Sequence, residues 1–166
     1  DQDGSGTHTL TSYSGGNTYL NEIPASASLD VAQFGVLYLH LVETDEDATA
    51  FITAYRIQNG NLGGSNIVCG KTYLIETYTI GADGAPIATD TGNFEAWTKG
   101  VGDSRAFDGD IWIQNLGSMT VGGVDLGNAN GFGINAAGDL NVIASSPITV
   151  TEDETSGGNI EKISVD

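Results

Sequence analysis

The stretch that decides the fold is residues 34–43, which read FGVLYLHLVE. Its side chains alternate at the two-residue period of a β-strand. One face carries Leu37, Leu39 and Leu41, and the other carries Val36, Tyr38 and His40. Because apolar residues occupy both faces, we expect a central strand that is covered on both sides. The face of Tyr38 is predicted to be buried within one subunit, and cover by a neighbouring subunit is the alternative.

Two antiparallel hairpins are predicted around this strand. A polar turn at residues 44–47 leads from it into residues 48–59, ATAFITAYRIQN. A second hairpin joins residues 71–80 to residues 86–91 through Gly81-Ala82-Asp83-Gly84, in which Asp-Gly supplies the positive φ of a tight turn. Further short strands are predicted at residues 94–98, 110–116, 119–126, 132–135, 140–144, 148–151 and 160–165.

The strand pattern predicts an all-β fold, because no window shows the apolar period of an amphipathic helix. Strands separated by turn signals are typical of an antiparallel β-sandwich, and we expect a single domain of jelly-roll type with about nine or ten strands. Residues 1–19 are predicted to be a polar N-terminal segment and a possible donor strand. Residues 20–166 are predicted to form the sandwich.

The charge balance narrows the possible partners. The 166 residues contain 5 Lys and Arg against 22 Asp and Glu, a formal net charge of −17. Such a charge opposes binding to nucleic acid, and the chain lacks the long apolar run of a membrane span. The scarcity of cations and the abundance of Gly favour an extracellular or cell-surface location. Copies of the chain itself, carbohydrate and cations remain as candidate partners.

Catalytic residues are not evident in the sequence. His8 and His40 are the two histidines, and neither lies in a recognised catalytic or metal-binding motif. Cys69 follows apolar residues, which predicts a buried and inert thiol. We therefore expect a protein that is not an enzyme.

One acidic loop could bind a metal. The sequence GDSRAFDGD places the carboxylates of Asp103, Asp108 and Asp110 in a single loop with flexible Gly carbonyls. Ca²⁺ prefers such oxygen ligands, and the net charge favours a bound cation. The alternative is that these carboxylates are solvated turn charges. The sequence predicts Ca²⁺ as a possible cofactor at this loop.

The two tryptophans suggest binding to a ligand. In residues 110–114, DIWIQ, the strand period directs Ile111 and Ile113 inward and Trp112 outward. Trp97 similarly lies beside polar residues. Exposed tryptophans can stack on sugar rings or anchor a protein interface, whereas buried ones belong to the core. A carbohydrate-binding or adhesive module using Trp97 and Trp112 is the alternative function.

Terminal strands could join one copy of the chain to the next. An extended segment can pair with the open sheet edge of a neighbour, through main-chain hydrogen bonds. The β-prone ends of the chain supply candidate assembly residues: Thr9, Leu10, Tyr13 and Tyr19 at the start, and Ile163 and Val165 at the end. This pattern predicts a self-assembling filament subunit.

A short resemblance supports that prediction. Residues 13–19, YSGGNTY, followed by Ser28-Leu29-Asp30-Val31, resemble the start of camelysin/TasA-type extracellular matrix proteins. Gly15 stands where that family has Asp, and residues 21–24 lengthen the segment. The resemblance implies a jelly-roll subunit that donates an N-terminal strand to the next subunit in a pilus-like fibre. The predicted function is therefore a structural subunit of an extracellular filament or surface assembly, formed by donation of a terminal strand and stiffened by Ca²⁺.

Overall fold

The computed structural model describes residues 7–16, 18–22, 36–54, 56–61, 63–98, 109–124, 133–151, 154–156 and 160–165. Fifteen strands lie in these ranges and join into one continuous sheet. They are β1 (Thr7–Ser14), β2 (Thr18–Glu22), β3 (Val36–Thr44), β4 (Thr49–Ala54), β5 (Arg56–Asn59), β6 (Ile67–Thr77), β7 (Thr79–Ile80), β8 (Ile87–Thr98), β9 (Ile111–Asn115), β10 (Met119–Val121), β11 (Ile134–Ala136), β12 (Leu140–Ala144), β13 (Ile148–Val150), β14 (Glu154–Ser156) and β15 (Ile160–Val165).

The strands pair in parallel, with partners from successive passes of the chain. β3 pairs with β1 on one side and with β5 and β6 on the other. β4 follows β3 along the chain, yet it pairs with β2 and β6. Each turn of the chain therefore lays its strands on those of the turn before, which makes the fold a parallel β-solenoid.

The predicted antiparallel jelly-roll sandwich is wrong, although the chain is all-β as expected. A two-residue period identifies the buried face of a strand but says nothing about the direction of its partners. Corners and chain reversals also use similar Gly-, Asn- and Asp-rich sequences. The sequence predicts strand positions more reliably than strand pairing, since β12 and β15 coincide with the predicted residues 140–144 and 160–165.

Neither predicted hairpin forms. The turn at residues 44–47, closed by a 2.9 Å hydrogen bond from Ala48 N to Asp45 O, is a corner between β3 and β4. At the second site, Gly84 has the expected positive φ of 72°. Ala82 and Ala85 there form an isolated antiparallel bridge, which does not extend into a ladder. β8 instead pairs in parallel with β6.

Aliphatic rows along the solenoid axis form the core. Five buried residues share one register position on successive turns: Leu37, Ile57, Ile80, Ile111 and Leu140. These side chains are between 0% and 6% exposed. The parallel register thus stacks aliphatic side chains of successive turns on one another. Burial of these rows supplies the main hydrophobic stabilisation.

β3 changes its inward face halfway along. Its pairing with β1 jumps from Leu39 opposite Leu10 to Leu41 opposite Thr11, so that His40 occupies a bulge. Beyond the bulge Val42 is buried and Leu41 is half-buried. Tyr38 is half-buried and His40 is exposed, so the expectation that their face is buried within the subunit is wrong.

Buried asparagines hold the corners of neighbouring turns together. Asn66 is 0% exposed, and its Nδ2 donates 2.8 and 3.0 Å hydrogen bonds to Leu39 O and Asn59 Oδ1. Its Oδ1 accepts a 2.8 Å hydrogen bond from Ala88 N. One side chain therefore connects β3, β5 and β8 and satisfies buried main-chain groups.

The predicted burial of Cys69 is confirmed. Its side chain is 5% exposed, and Sγ lies 3.0 Å from Lys71 O and 3.1 Å from Thr72 Oγ1. The thiol belongs to a small polar cluster inside the solenoid.

Candidate assembly surfaces

The two ends of the solenoid carry strands that are paired along one edge. Within the ranges given above, β1 pairs with β3 alone and β2 with β4 alone. At the opposite end, β13, β14 and β15 each have a single partner, which is β10, β11 and β12 respectively. A free edge presents main-chain N–H and C=O groups to further strands. These edges are the candidate assembly surfaces.

The first turn also exposes two large aromatic rings. Tyr13 is 68% exposed and Tyr19 is 70% exposed. The ring of Tyr19 stacks on that of Phe51, with centroids 4.6 Å apart and planes 1° apart. Phe51 in turn meets Tyr73 edge-on at 6.2 Å. An aromatic row therefore runs from the first turn along the outer face of β2, β4 and β6.

Farther along the same face, the row is covered. Tyr73 is 4% exposed, and Glu95, which is opposite it in register, is 0% exposed. Val124 N, from the segment after β10, donates a 2.7 Å hydrogen bond to Glu95 Oε1. Among the described residues, the aromatic row is thus exposed at Tyr19 and buried at Tyr73, next to Glu95.

The predicted assembly residues lie at opposite ends of the solenoid. Thr9, Leu10 and Tyr13 are on β1, opposite Tyr38, Leu39 and Glu43. Tyr19 is on β2, opposite Phe51. Ile163 and Val165 are on β15, opposite Val142 and Ala144. All six therefore belong to strands that pair with a single strand in the part of the chain that the structure describes.

The two tryptophans are not brought together. Trp97 on β8 is opposite Asn135 on β11, whereas Trp112 on β9 is opposite Asn141 on β12. They belong to different columns of stacked strands, and both are half-buried. The expected inward direction of Ile111 and Ile113 is confirmed, since they are 0% and 1% exposed. Each tryptophan can therefore offer only its own ring to a ligand.

The predicted calcium loop lies largely outside the described residues, which include Asp110 but not Asp103 or Asp108. Asp110 Oδ1 accepts a 2.8 Å hydrogen bond from Asp139 N, so it stabilises a corner. In the part of the chain that the structure describes, no three His, Cys, Asp or Glu side chains are grouped to hold a metal ion. The calcium site stays a prediction.

A shallow cleft lies beside Tyr13. Its volume is about 290 Å³, and its lining includes Tyr13 and the exposed side chains of Glu43 and Asp45. An exposed ring next to carboxylate acceptors can stack on a sugar and accept hydrogen bonds from its hydroxyl groups. The cleft is thus a second candidate surface.

Sequence reasoning did not find the aromatic row. Tyr19, Phe51 and Tyr73 are separated by unequal lengths of chain, because turns of the solenoid differ in length. Without a constant period, the sequence carries no signal that places these rings together.

No protein-family model, characterised protein or solved structure was found to match the chain. The camelysin/TasA-type resemblance therefore rests on residues 13–31 alone, and the jelly roll that it implied is not the fold observed. The strands and loops described above include no helix that is long and apolar enough to cross a membrane.

Proposed function

We propose that the chain is a structural subunit of an extracellular filament or surface assembly, whose copies join through the free strand edges. The observation that carries this proposal is that the first strands, β1 and β2, and the last strands, β13 to β15, each have one partnered edge among the described residues. Edge strands of this kind pair readily with other chains. A stack of parallel strands with a free edge at each end can extend in both directions.

Addition of strands at the edges is favoured over donation of a strand. β1 is opposite β3 of its own chain at eight positions. Donation of β1 to a neighbour would break this pairing before a new one formed. Pairing along the free edge of β1 requires no such loss, so we propose that the solenoid stays intact on assembly.

The charge should make assembly depend on salt. Each copy carries a formal net charge of −17, which opposes close approach of a second copy. Counterions screen this repulsion, and the screening length is about 10 Å at 0.1 M salt. Monovalent salt, or Ca²⁺ at lower concentration, should therefore promote association.

Sedimentation velocity and negative-stain electron microscopy of the purified chain test the proposal. We expect oligomers or fibres whose size grows with protein concentration and with added NaCl. As a control, Gln114→Lys changes an exposed residue on β9 and should assemble like the unmodified chain. A chain that stays monomeric under all these conditions would contradict the proposed function.

Carbohydrate binding is the second candidate, and the cleft beside Tyr13 favours it. Tyr13→Ala should abolish retention on an immobilised neutral polysaccharide, whereas Trp97→Ala and Trp112→Ala should each have a smaller effect. Affinity electrophoresis against several polysaccharides checks this candidate. If none of them retards the unmodified chain, the carbohydrate-binding function is wrong.

A further inference from the structure

We infer that copies join head to tail, with β15 of one copy alongside β1 of the next, in parallel and in one defined register. The inference rests on the proposed function and adds to it the two strands that meet and their alignment. In this register Ile160 lies opposite His8, Ile163 opposite Leu10, and Val165 opposite Ser12 of the next copy.

The register follows from rows that run the whole length of the solenoid. One row begins at His8, passes through the buried aliphatic row that starts at Leu37, and ends at Ile160. A second row begins at Ser12 and ends at Val165, by way of Val42, Ile67, Thr89, Asn115 and Ala144. The first and last strands of the solenoid therefore occupy equivalent positions in the same rows.

The spacing of residues along the strands also agrees with this register. Three residues separate His8 from Ser12 on β1, and three separate Leu140 from Ala144 on β12. β15 is aligned with β12 apart from a shift next to Ile160. β1 already pairs with β3 across a register shift of the same kind. The register shift in β15 should therefore not prevent β15 from pairing with β1 of the next copy.

A second copy is favoured as the occupant because head-to-tail contact continues the parallel direction of both strands. Two first turns brought face to face would instead place β1 antiparallel to itself and would interrupt the rows. A contact between two different surfaces of the same chain is heterologous, and it produces an open-ended, polar polymer when it does not close into a ring.

The contact should involve one column of strands. β15 lies on β12, whereas β13 lies on β10, so β15 stands one turn farther along the axis than β13. When β15 meets β1 of the next copy, β13 and the next β2 remain about 9–10 Å apart, which is two strand spacings. Because a single pair of strands forms this contact, we expect the contact to be weak. The fraction of associated copies should therefore depend strongly on protein concentration.

Two variants block the two surfaces separately. Ser12 is half-buried at the free end of its row, so the lysine in Ser12→Lys can reach solvent in a single copy. A second copy stacked on β1 would bury that charge. Natural edge strands carry charged side chains for the same reason, because the charge prevents pairing with another strand. Val165→Lys places the same charge on β15. We expect each variant alone to associate at least tenfold more weakly than the unmodified chain.

An equal mixture of the two variants gives the decisive result. The free β15 of Ser12→Lys can pair with the free β1 of Val165→Lys, so the mixture should form dimers that do not grow. Circular dichroism of each variant verifies that it is folded. Normal fibres from either variant alone, or no dimer in the mixture of folded variants, would overturn the inference.

Cross-linking tests the register. Neighbouring strands place paired Cα atoms about 4.8 Å apart, within the range that a disulfide spans. Thr11→Cys and Ser164→Cys, mixed and oxidised, should form a linked heterodimer, and neither should cross-link to itself. The unmodified chain is the control, because Cys69 is buried. Self-linked Thr11→Cys would indicate head-to-head contact and contradict the inference, whereas failure of the unmodified chain to associate would remove the proposed function as well.

Discussion

The hydroxyl of Thr89 donates a 2.7 Å hydrogen bond to Oδ1 of Asn115, which lies opposite it on the adjacent strand inside the solenoid. The same oxygen accepts a 3.1 Å hydrogen bond from Thr91 N. Thr89 and Asn115 are 0% and 1% exposed. The Asn115 Nδ2 is within 3.3–3.4 Å of four carbonyl oxygens, those of Thr91, Leu116, Gly117 and Ser118. One amide thus contacts polar groups of β8 and of the turn that follows β9.

Asn115→Ala should therefore destabilise the fold. It leaves the buried Thr89 hydroxyl and the Thr91 N–H without this acceptor, and each unsatisfied group costs about 1–3 kcal/mol. We expect a loss of about 2–4 kcal/mol in the free energy of unfolding, measured by urea denaturation. Gln114→Ala changes the exposed neighbour and should stay within about 0.5 kcal/mol of the parent. Equal midpoints for the two variants would disprove the role of Asn115.

Gly70→Ala should also be destabilising, because main-chain atoms fill the space that a methyl group would need. A Cβ at residue 70 would overlap the carbonyl oxygen of Glu46 and lie 3.3 Å from Ala48 O. Overpacking of this kind costs about 1–3 kcal/mol or more. Gly63→Ala is the control, since nothing lies within 4 Å of its Cβ position. Thermal melts should separate the two variants, and a Gly70→Ala melt equal to that of Gly63→Ala would contradict the close approach.

Tyr38→Ala should cost less than truncation of a core aromatic residue. Tyr38 is half-buried on the outer face, near Arg56. Partial burial lowers the pKa of the Arg56 guanidinium, whereas the coulombic interaction between Arg56 and Tyr38 raises this pKa. We expect a loss of about 1–2 kcal/mol for Tyr38→Ala against about 3–5 kcal/mol for Phe94→Ala, whose side chain is fully buried. Similar losses in urea denaturation would place Tyr38 in the core.

Calcium should raise the melting temperature if the acidic loop binds it. A ligand at 100 times its dissociation constant stabilises a protein by about 2.7 kcal/mol. Asp110→Asn removes one charge and keeps an oxygen that can accept the hydrogen bond from Asp139 N, so it should reduce the effect of Ca²⁺ without loosening the corner. If NaCl of equal ionic strength reproduces the shift, screening of diffuse charge is sufficient and the loop need not bind Ca²⁺.

The positions of strands and their buried faces could be read from the sequence because they depend on local properties. Ile111 and Ile113 alternate with Trp112, and this alternation alone directs the two isoleucines inward. Asp83-Gly84 carries the conformational freedom of its turn in its own residue types, and Gly84 has a positive φ in the structure. Burial of Cys69 followed from its apolar neighbours in the same way.

The sequence does not predict which strands pair with each other, because strand pairing depends on residues that are far apart in the chain. Ile57 follows Leu37 by 20 residues, whereas Ile111 follows Ile80 by 31, so the turns of the solenoid leave no constant period in the sequence. The same alternating pattern fits an antiparallel neighbour and a parallel one. Only the tertiary structure decided that the corner at residues 44–47 sends β4 onto β2 and β6 and not back along β3, since that choice depends on main-chain pairing between turns. It also decided that β1 and β15 lie at opposite ends of one set of rows.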